Sequence, residues 1–252
     1  MTDSIGIWIV RNEARTLGER LATTLGAQLH LPEKHDSRSN REAFAAAWHT
    51  HRQWIVIATT GIAVRYLQGL AKDKATDPGV VVLDEGGRFA ISLLGGHEGG
   101  ANRLAYRVAN CSGAVPVITT ATETLKPLVL GIGCRRDITI EAIDGAVSLA
   151  LKTVSRSRHD VREVATVDLK QNEPGLLAWC ARNDLPLRAI SLELLKLRPW
   201  VTEPSSWVHE NLGVDGVCEP CALLATGRGK LILPKFAHEG VTVAIVEEGP
   251  AS

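Results

Sequence analysis

Apolar and polar positions alternate along this chain in two rhythms, and the rhythm changes from one segment to the next. Short apolar runs at residues 5–10, 54–58 and 80–83 have the length and the β-branched character of buried strands. Between them, residues 12–25 place Leu17, Leu21 and Leu25 one turn apart, and residues 41–51 space Phe44, Trp48 and His51 helically. Each of these stretches predicts a helix with one apolar face. Residues 28–31 predict a short strand. Thr59-Thr60-Gly61 leads into a periodic helix over 62–70, and Asp84-Glu85-Gly86-Gly87 turns the chain into a returning strand at 89–93. Residues 101–110 read as a helix with Leu104, Ala105 and Val108 on one face, and 115–118 as a strand.

The pattern breaks around Thr119-Thr120-Ala121-Thr122, and Lys126-Pro127 marks a junction. A second alternation follows. A strand at 128–132 ends in Gly131-Ile132-Gly133-Cys134, and Asp137 or Thr139 caps a helix carrying Ile140, Ile143, Val147 and Leu151. After the polar loop 155–160 comes a strand at 161–167. Pro174 opens a helix, 187–190 is a short strand, and 211–217 leads into a helix at 218–224. Strands at 231–233 and 241–246 close the sheet. Strands alternating with helices predict two consecutive α/β domains, residues 1–125 and 126–252, each a mostly parallel sheet flanked by helices. The halves are alike in class but show no residue-level repeat.

Composition narrows the function classes. The 252 residues are 45% apolar and 22% charged, ordinary for a soluble globular protein. Lys+Arg and Asp+Glu both number 28, so there is no bulk basic field for nucleic acid. Five scattered cysteines argue against a disulfide scaffold. The first residues hold only a six-residue apolar run without a basic leader, and no run approaches membrane length. The expectation is a cytoplasmic protein with no membrane partner.

Five segments offer chemistry. In SLLGGHEGGAN, glycine pairs flank His97 and Glu98 just before a helix. Helix N-terminal amides can receive an anion or a developing oxyanion, and a histidine can take a proton from water near neutrality. Spacing alone slightly favours a tight turn with an exposed histidine. Thr59-Thr60-Gly61-Ile62-Ala63-Val64-Arg65 follows a buried strand, at the edge where α/β folds bind ligands, although a capped helix with a surface arginine is the commoner case. Lys72 and Lys74, beside Asp77-Pro78-Gly79, could attract an acidic substrate, but most such lysines are only solvated. Gly131-Ile132-Gly133-Cys134-Arg135-Arg136 suggests a strand, a G-x-G turn and an anion cradle, with an incomplete glycine fingerprint; Cys134 reads better as a small buried residue than as a nucleophile. Cys218-Glu219-Pro220-Cys221 lacks further zinc ligands at a recognisable spacing, since neither His209 nor His238 supplies one, and suits a core helix better.

Taken in order, TTGIAVR, KDKATDPGVVVLDEGGRFAISLLGGHEGGAN and VPVITTATE in the first half, then GIGCRR, KQNEPGLLAW, GVCEPCALLATGRGKLILPK and GVTVAI in the second, resemble the cobalt-precorrin-5A hydrolase family of anaerobic cobalamin biosynthesis. The resemblance spans residues 52–124 and 128–247. It implies a carbon–carbon bond hydrolase that opens the δ-lactone of a cobalt-tetrapyrrole and releases the C20 fragment as acetaldehyde, giving cobalt-precorrin-5B. The cobalt belongs to the substrate, so no protein metal site and no cofactor is expected. On this reading His97 or Glu98 is the catalytic base. Substrate-binding roles fall to Thr60, Gly61, Arg65, Gly95, Gly96, Gly99, Gly100, Asn102, Arg103, Gly131, Gly133, Arg135 and Arg136, the arginines facing substrate carboxylates. A homodimer and transient contacts with other pathway enzymes are the partner expectations. The chain departs from the family in lacking a middle segment, in Gly95 where a serine is usual, in Glu123 where an aspartate is usual, and in Glu98 at an often apolar position. His97 is therefore the first choice as base. The alternatives are a corrinoid carrier that does not react, since the second half alone also resembles a small protein of the aerobic pathway, and a nucleotide- or phosphate-binding regulator. The regulator lacks an acidic ribose partner and a phosphate-loop lysine.

Overall fold

The first apolar run forms strand β1 (Ile5–Ile9), all five residues of which are buried. A strand without an exposed face must lie inside a sheet covered on both sides. The computed structural model, which describes residues 4–31, 38–198 and 201–249, shows why. The first three residues and the expected outer domain ends at 1 and 252 lie outside the described residues. The chain gathers into two compact units, residues 1–120 and 121–252.

In the first unit, β1 is joined by β2 (Gln28–His30), β3 (Gln53–Ile57), β4 (Gly79–Leu83), β5 (Phe89–Leu94) and β6 (Val115–Val117), in the order β2-β1-β3-β4-β5-β6. Helices α1 (Arg15–Leu25), α2 (Asn40–Ala47), α3 (Thr60–Leu67) and α4 (Ala101–Ser112) cover it. Alternation along the strands sorts the core into two layers. Ile7, Ile55 and Val81 pack with Leu21 of α1 and Leu104 and Val108 of α4. Trp8, Trp54 and Val80 face the other way, against Phe44 of α2 and Ala63 of α3.

Strand direction decides where the site lies. Strands β1 to β4 run parallel, β5 runs antiparallel to β4, and β6 runs parallel to β5. Gln53 pairs with Gly79, and Val80 pairs with Leu94. The carboxyl ends of β5 and β6 thus reach the edge where β3 and β4 begin. The loop after β3 leaves from the opposite edge.

The second unit opens with the single turn α5 (Ala121–Thr124). Its sheet contains β7 (Leu128–Cys134), β8 (Val161–Val167), β9 (Leu187–Ile190), β10 (Lys230–His238) and β11 (Val241–Glu247), ordered β10-β11-β7-β8-β9. Strands β7, β8 and β9 are parallel, and the β10–β11 hairpin adds antiparallel to β7. Helices α6 (Ile140–Thr153) and α7 (Pro174–Arg182) cover one face, α6 capped by the Thr139 hydroxyl and α7 begun by Pro174. Helices α8 (Leu192–Leu197) and α9 (Ser206–Leu212) precede α10 (Cys218–Ala225), which seals the other face against Val129, Ala165 and Val246.

One expectation is overturned here. Gly131-Ile132-Gly133 makes no turn: β7 runs straight through it to Cys134, and α6 begins only at Ile140. Gly131 is glycine because α10 crosses it. A Cβ there would lie 1.8 Å from the Cys218 carbonyl oxygen, and one on Gly133 would lie 2.6 Å from Thr242 Oγ1. No described helix is long and apolar enough to cross a membrane.

Candidate active site

The glycine-rich turn joins β5 to α4 and is fixed mainly through its carbonyls. Gly95 and Gly100 take left-handed backbone, with φ of +63° and +71°, a region glycine enters without steric cost. The Gly95 and Gly96 carbonyls accept from the amides of Ala101 (3.1 Å) and Asn102 (3.0 Å), and His97 accepts from Gly100 (3.2 Å). The Gly99 carbonyl accepts from Nε2 of Gln53 at 3.1 Å. Beneath the turn lies Gly79, the first residue of β4. A Cβ on Gly79 would come within 2.3 Å of the Gly99 oxygen, and a Cβ on Gly99 within 2.8 Å of Gly79 Cα. Backbone rests on backbone, which excludes side chains from both.

This geometry redistributes the expected donors. The first two amides of α4 are consumed by the turn itself and cannot receive a ligand. The amides of Gly96, His97 and Gly99 instead donate to no described residue. The His97 side chain is exposed and makes no hydrogen bond to a described residue. Glu98, also exposed, pairs with Lys74 at 3.4 Å. Its own backbone amide, then Lys74, hold its carboxyl below the ordinary value, so it is a weaker proton acceptor than an isolated glutamate.

Asn102 is a brace rather than a free binding group. Its Oδ1 accepts from Ser92 Oγ at 2.8 Å and its Nδ2 donates to Thr120 Oγ1 at 2.9 Å, tying β5, α4 and the segment after β6 together. Gly96 fits beside this brace: a Cβ there would meet Thr120 Cγ2 at 2.7 Å and Asn102 Oδ1 at 2.8 Å. Gln53, Ser92 and Thr120 support the turn, and nothing in their local sequence marks them. The only signal for Thr120 is its place in the TTAT run that follows β6.

The other expected residues scatter. Thr60, Gly61 and Arg65 follow the carboxyl end of β3, on the edge away from His97, and the Arg65 guanidinium folds back to the Gly61 carbonyl at 3.4 Å. Arg103 is exposed in the first turn of α4. In the second unit, Gly131 and Gly133 lie within β7, Arg136 is exposed, and Arg135 lies over Gly240 and donates to the Glu239 carbonyl at 3.4 Å. Cys218 and Cys221 are buried core residues. Among the described residues, no group of three or more His, Cys, Asp or Glu could hold a metal ion.

The segments that carry Lys74, His97 and Thr120 therefore meet around one edge of one sheet. A family model described as Cobalamin synthesis G N-terminal matches residues 42–123, and one described as Cobalamin synthesis G C-terminus matches residues 128–246. The chain belongs to the cobalamin synthesis G family. Among relatives, the cobalt-precorrin-5A hydrolase of Salmonella typhimurium is 26% identical, covering 96% of this chain and 97% of its own. That alignment is 348 positions long against a chain of 252 residues, so the Salmonella relative carries sequence that this family member lacks. Protein CobE of a Sinorhizobium species is 33% identical over 129 residues, 50% of this chain and 81% of that protein. A crystal structure of CobE, a protein from the cobalamin (vitamin B12) biosynthetic pathway, matches 48% of this chain and 89% of that one at 26% identity, with a TM-score of 0.43.

Proposed function

We propose that this protein is a cytoplasmic cobalt-precorrin-5A hydrolase, opening the δ-lactone of its substrate with water and releasing acetaldehyde to leave cobalt-precorrin-5B. The observation that carries this reading is His97, exposed on a turn whose carbonyls are anchored inward and whose neighbouring amides donate to no described residue. It stands in a chain matched by both halves of the family. The imidazole of His97 takes a proton from water as the oxygen bonds to the lactone carbonyl carbon. Negative charge then develops on the carbonyl oxygen, for which the amides of Gly96, His97 and Gly99 are the available donors. As the ring C–O bond breaks, the proton passes from imidazolium to the departing alkoxide, leaving a C20 hydroxyl and a carboxylic acid, which gives its proton to solvent and becomes a carboxylate. In the second stage that hydroxyl loses its proton while the bond from C20 to the macrocycle breaks. Acetaldehyde leaves, and the ring carbon takes up the electron pair and a proton.

Purified protein and His97→Ala, each incubated with cobalt-precorrin-5A, test the reading through trapped acetaldehyde. The wild type releases it, and the variant is slower by about 10²–10⁴-fold, the usual contribution of a positioned proton acceptor. Its melting temperature stays unchanged, because His97 is exposed. Equal release by both would move the base elsewhere. Binding without release by either would favour a carrier, the second reading, to which the sequence absent relative to the Salmonella enzyme gives weight.

A further inference from the structure

The loop that carries Lys72 and Lys74 has no part in the steps above, yet it is built with unusual care for a surface loop. Asp77 is only 9% exposed, and its Oδ2 accepts from the amides of Lys72 (2.6 Å) and Asp73 (2.9 Å). Asp73 closes the turn from the other side, its Oδ1 accepting from the Ala75 amide (2.9 Å) and its carbonyl from those of Thr76 (3.2 Å) and Asp77 (2.8 Å). Burying a carboxylate is unfavourable unless hydrogen bonds offset the lost hydration; here the amides of an otherwise exposed turn do so. The effect is to fix the backbone of Lys74, whose side chain is 82% exposed and whose Nζ reaches Glu98 at 3.4 Å. Two residues after Asp77, Gly79 packs under Gly99, so this loop and the His97 turn share one foundation.

We propose that Lys74 binds a substrate carboxylate beside His97, and that Glu98 occupies that carboxylate's place in the free protein. The proposal rests on the hydrolase reading. Hydrolysis of a lactone converts a neutral ester into a carboxylate, so negative charge appears next to the base. A lysine, a compact charge on a flexible stem, can follow such a group as it forms. Water and salt screen an exposed ion pair, so it holds weakly and Glu98 is readily displaced. Asp77 is a positioning residue that acts through the loop backbone.

The test uses the full chain and cobalt-precorrin-5A. Affinity is read from the shift of the ligand's visible absorption bands, turnover from acetaldehyde, and folding from the melting temperature. Lys74→Gln raises Kd and KM about tenfold, the loss of one charge-assisted hydrogen bond, with the melting temperature unchanged. Lys74→Arg restores most of the affinity, and Glu98→Gln lowers KM. Asp77→Asn raises KM less than Lys74→Gln and also lowers the melting temperature. The wild-type Kd weakens with added salt more steeply than that of Lys74→Gln. Wild-type affinity in Lys74→Gln overturns the proposal. If the wild type binds but releases no acetaldehyde, the hydrolase reading fails while the affinity difference still decides the role of Lys74. If the wild type does not bind, both fall.

Discussion

The two units each carry a glycine cluster beside basic residues, and the clusters do opposite work. Gly95–Gly100 in the first unit bends the chain at the end of a strand, lets the turn rest on Gly79, and leaves His97 exposed. Gly131 and Gly133 in the second unit lie within an unbroken strand, and Gly131 admits the backbone of α10 to a distance no side chain would allow. One cluster serves access and the other serves closure. A glycine motif thus reports close backbone approach, and only the direction of the neighbouring strands says whether a ligand or another helix makes that approach.

Substitution with alanine separates the two uses. Gly131→Ala has the larger effect on folding. Its Cβ would overlap the Cys218 carbonyl, a backbone atom that can yield only if α10 moves. Overpacking of this kind costs about 3 kcal/mol or more, read as a marked fall in melting temperature. A stable Gly131→Ala protein would mean that the second cluster is open like the first. Gly96→Ala meets only the ends of the Thr120 and Asn102 side chains, at 2.7 and 2.8 Å. These can shift, so stability falls by about 1 kcal/mol. The displaced turn lowers acetaldehyde release about tenfold, because small misplacement of a catalytic group is costly. A loss of folding in Gly96→Ala as large as in Gly131→Ala, with any remaining folded protein fully active, would make the first cluster a packing device too.

The contrast also explains what the sequence could and could not reveal. Strands β8 and β9 match the expected residues 161–167 and 187–190 because their apolar runs are bounded by turn residues. Helices α8 and α9, of six and seven residues, are too short for a 3.6-residue period to emerge, and α5 is one turn. Strand β10 runs from Lys230 to His238, well beyond the expected three residues, because it sits at the sheet edge with an irregular register and a half-buried pattern. The turn proposed as the site was readable where it is local: the Gly-His-Glu-Gly segment and the helix after it. Its partners were not, because they depend on the reversal of β5 against β4. That reversal brings Lys74, Gln53 and Thr120 to the turn that carries His97 and the start of α4, and leaves Thr60 and Arg65 at the far edge, although TTGIAVR looks as suitable for ligand binding as the turn does.

The smallest effect concerns the cysteines of α10, which report on closure directly. Burial pushes the Cys218 thiol up to about 11 and raises Cys221 as well. Against an ordinary thiol near 9.0, a shift of that size leaves about a hundredfold less thiolate at neutral pH. Only the thiolate attacks an alkylating reagent, and both side chains are also shielded from it. Native protein treated with iodoacetamide at neutral pH and digested for mass spectrometry therefore shows Cys218 and Cys221 unlabelled. In Gly131→Ala the displaced helix exposes both, the thiols move back toward their ordinary value, and labelling accelerates even at temperatures where the sheet survives. Fast labelling of the native wild type would show that α10 does not seat on Gly131. The close approach that distinguishes this cluster from the turn at His97 would then have to be given up.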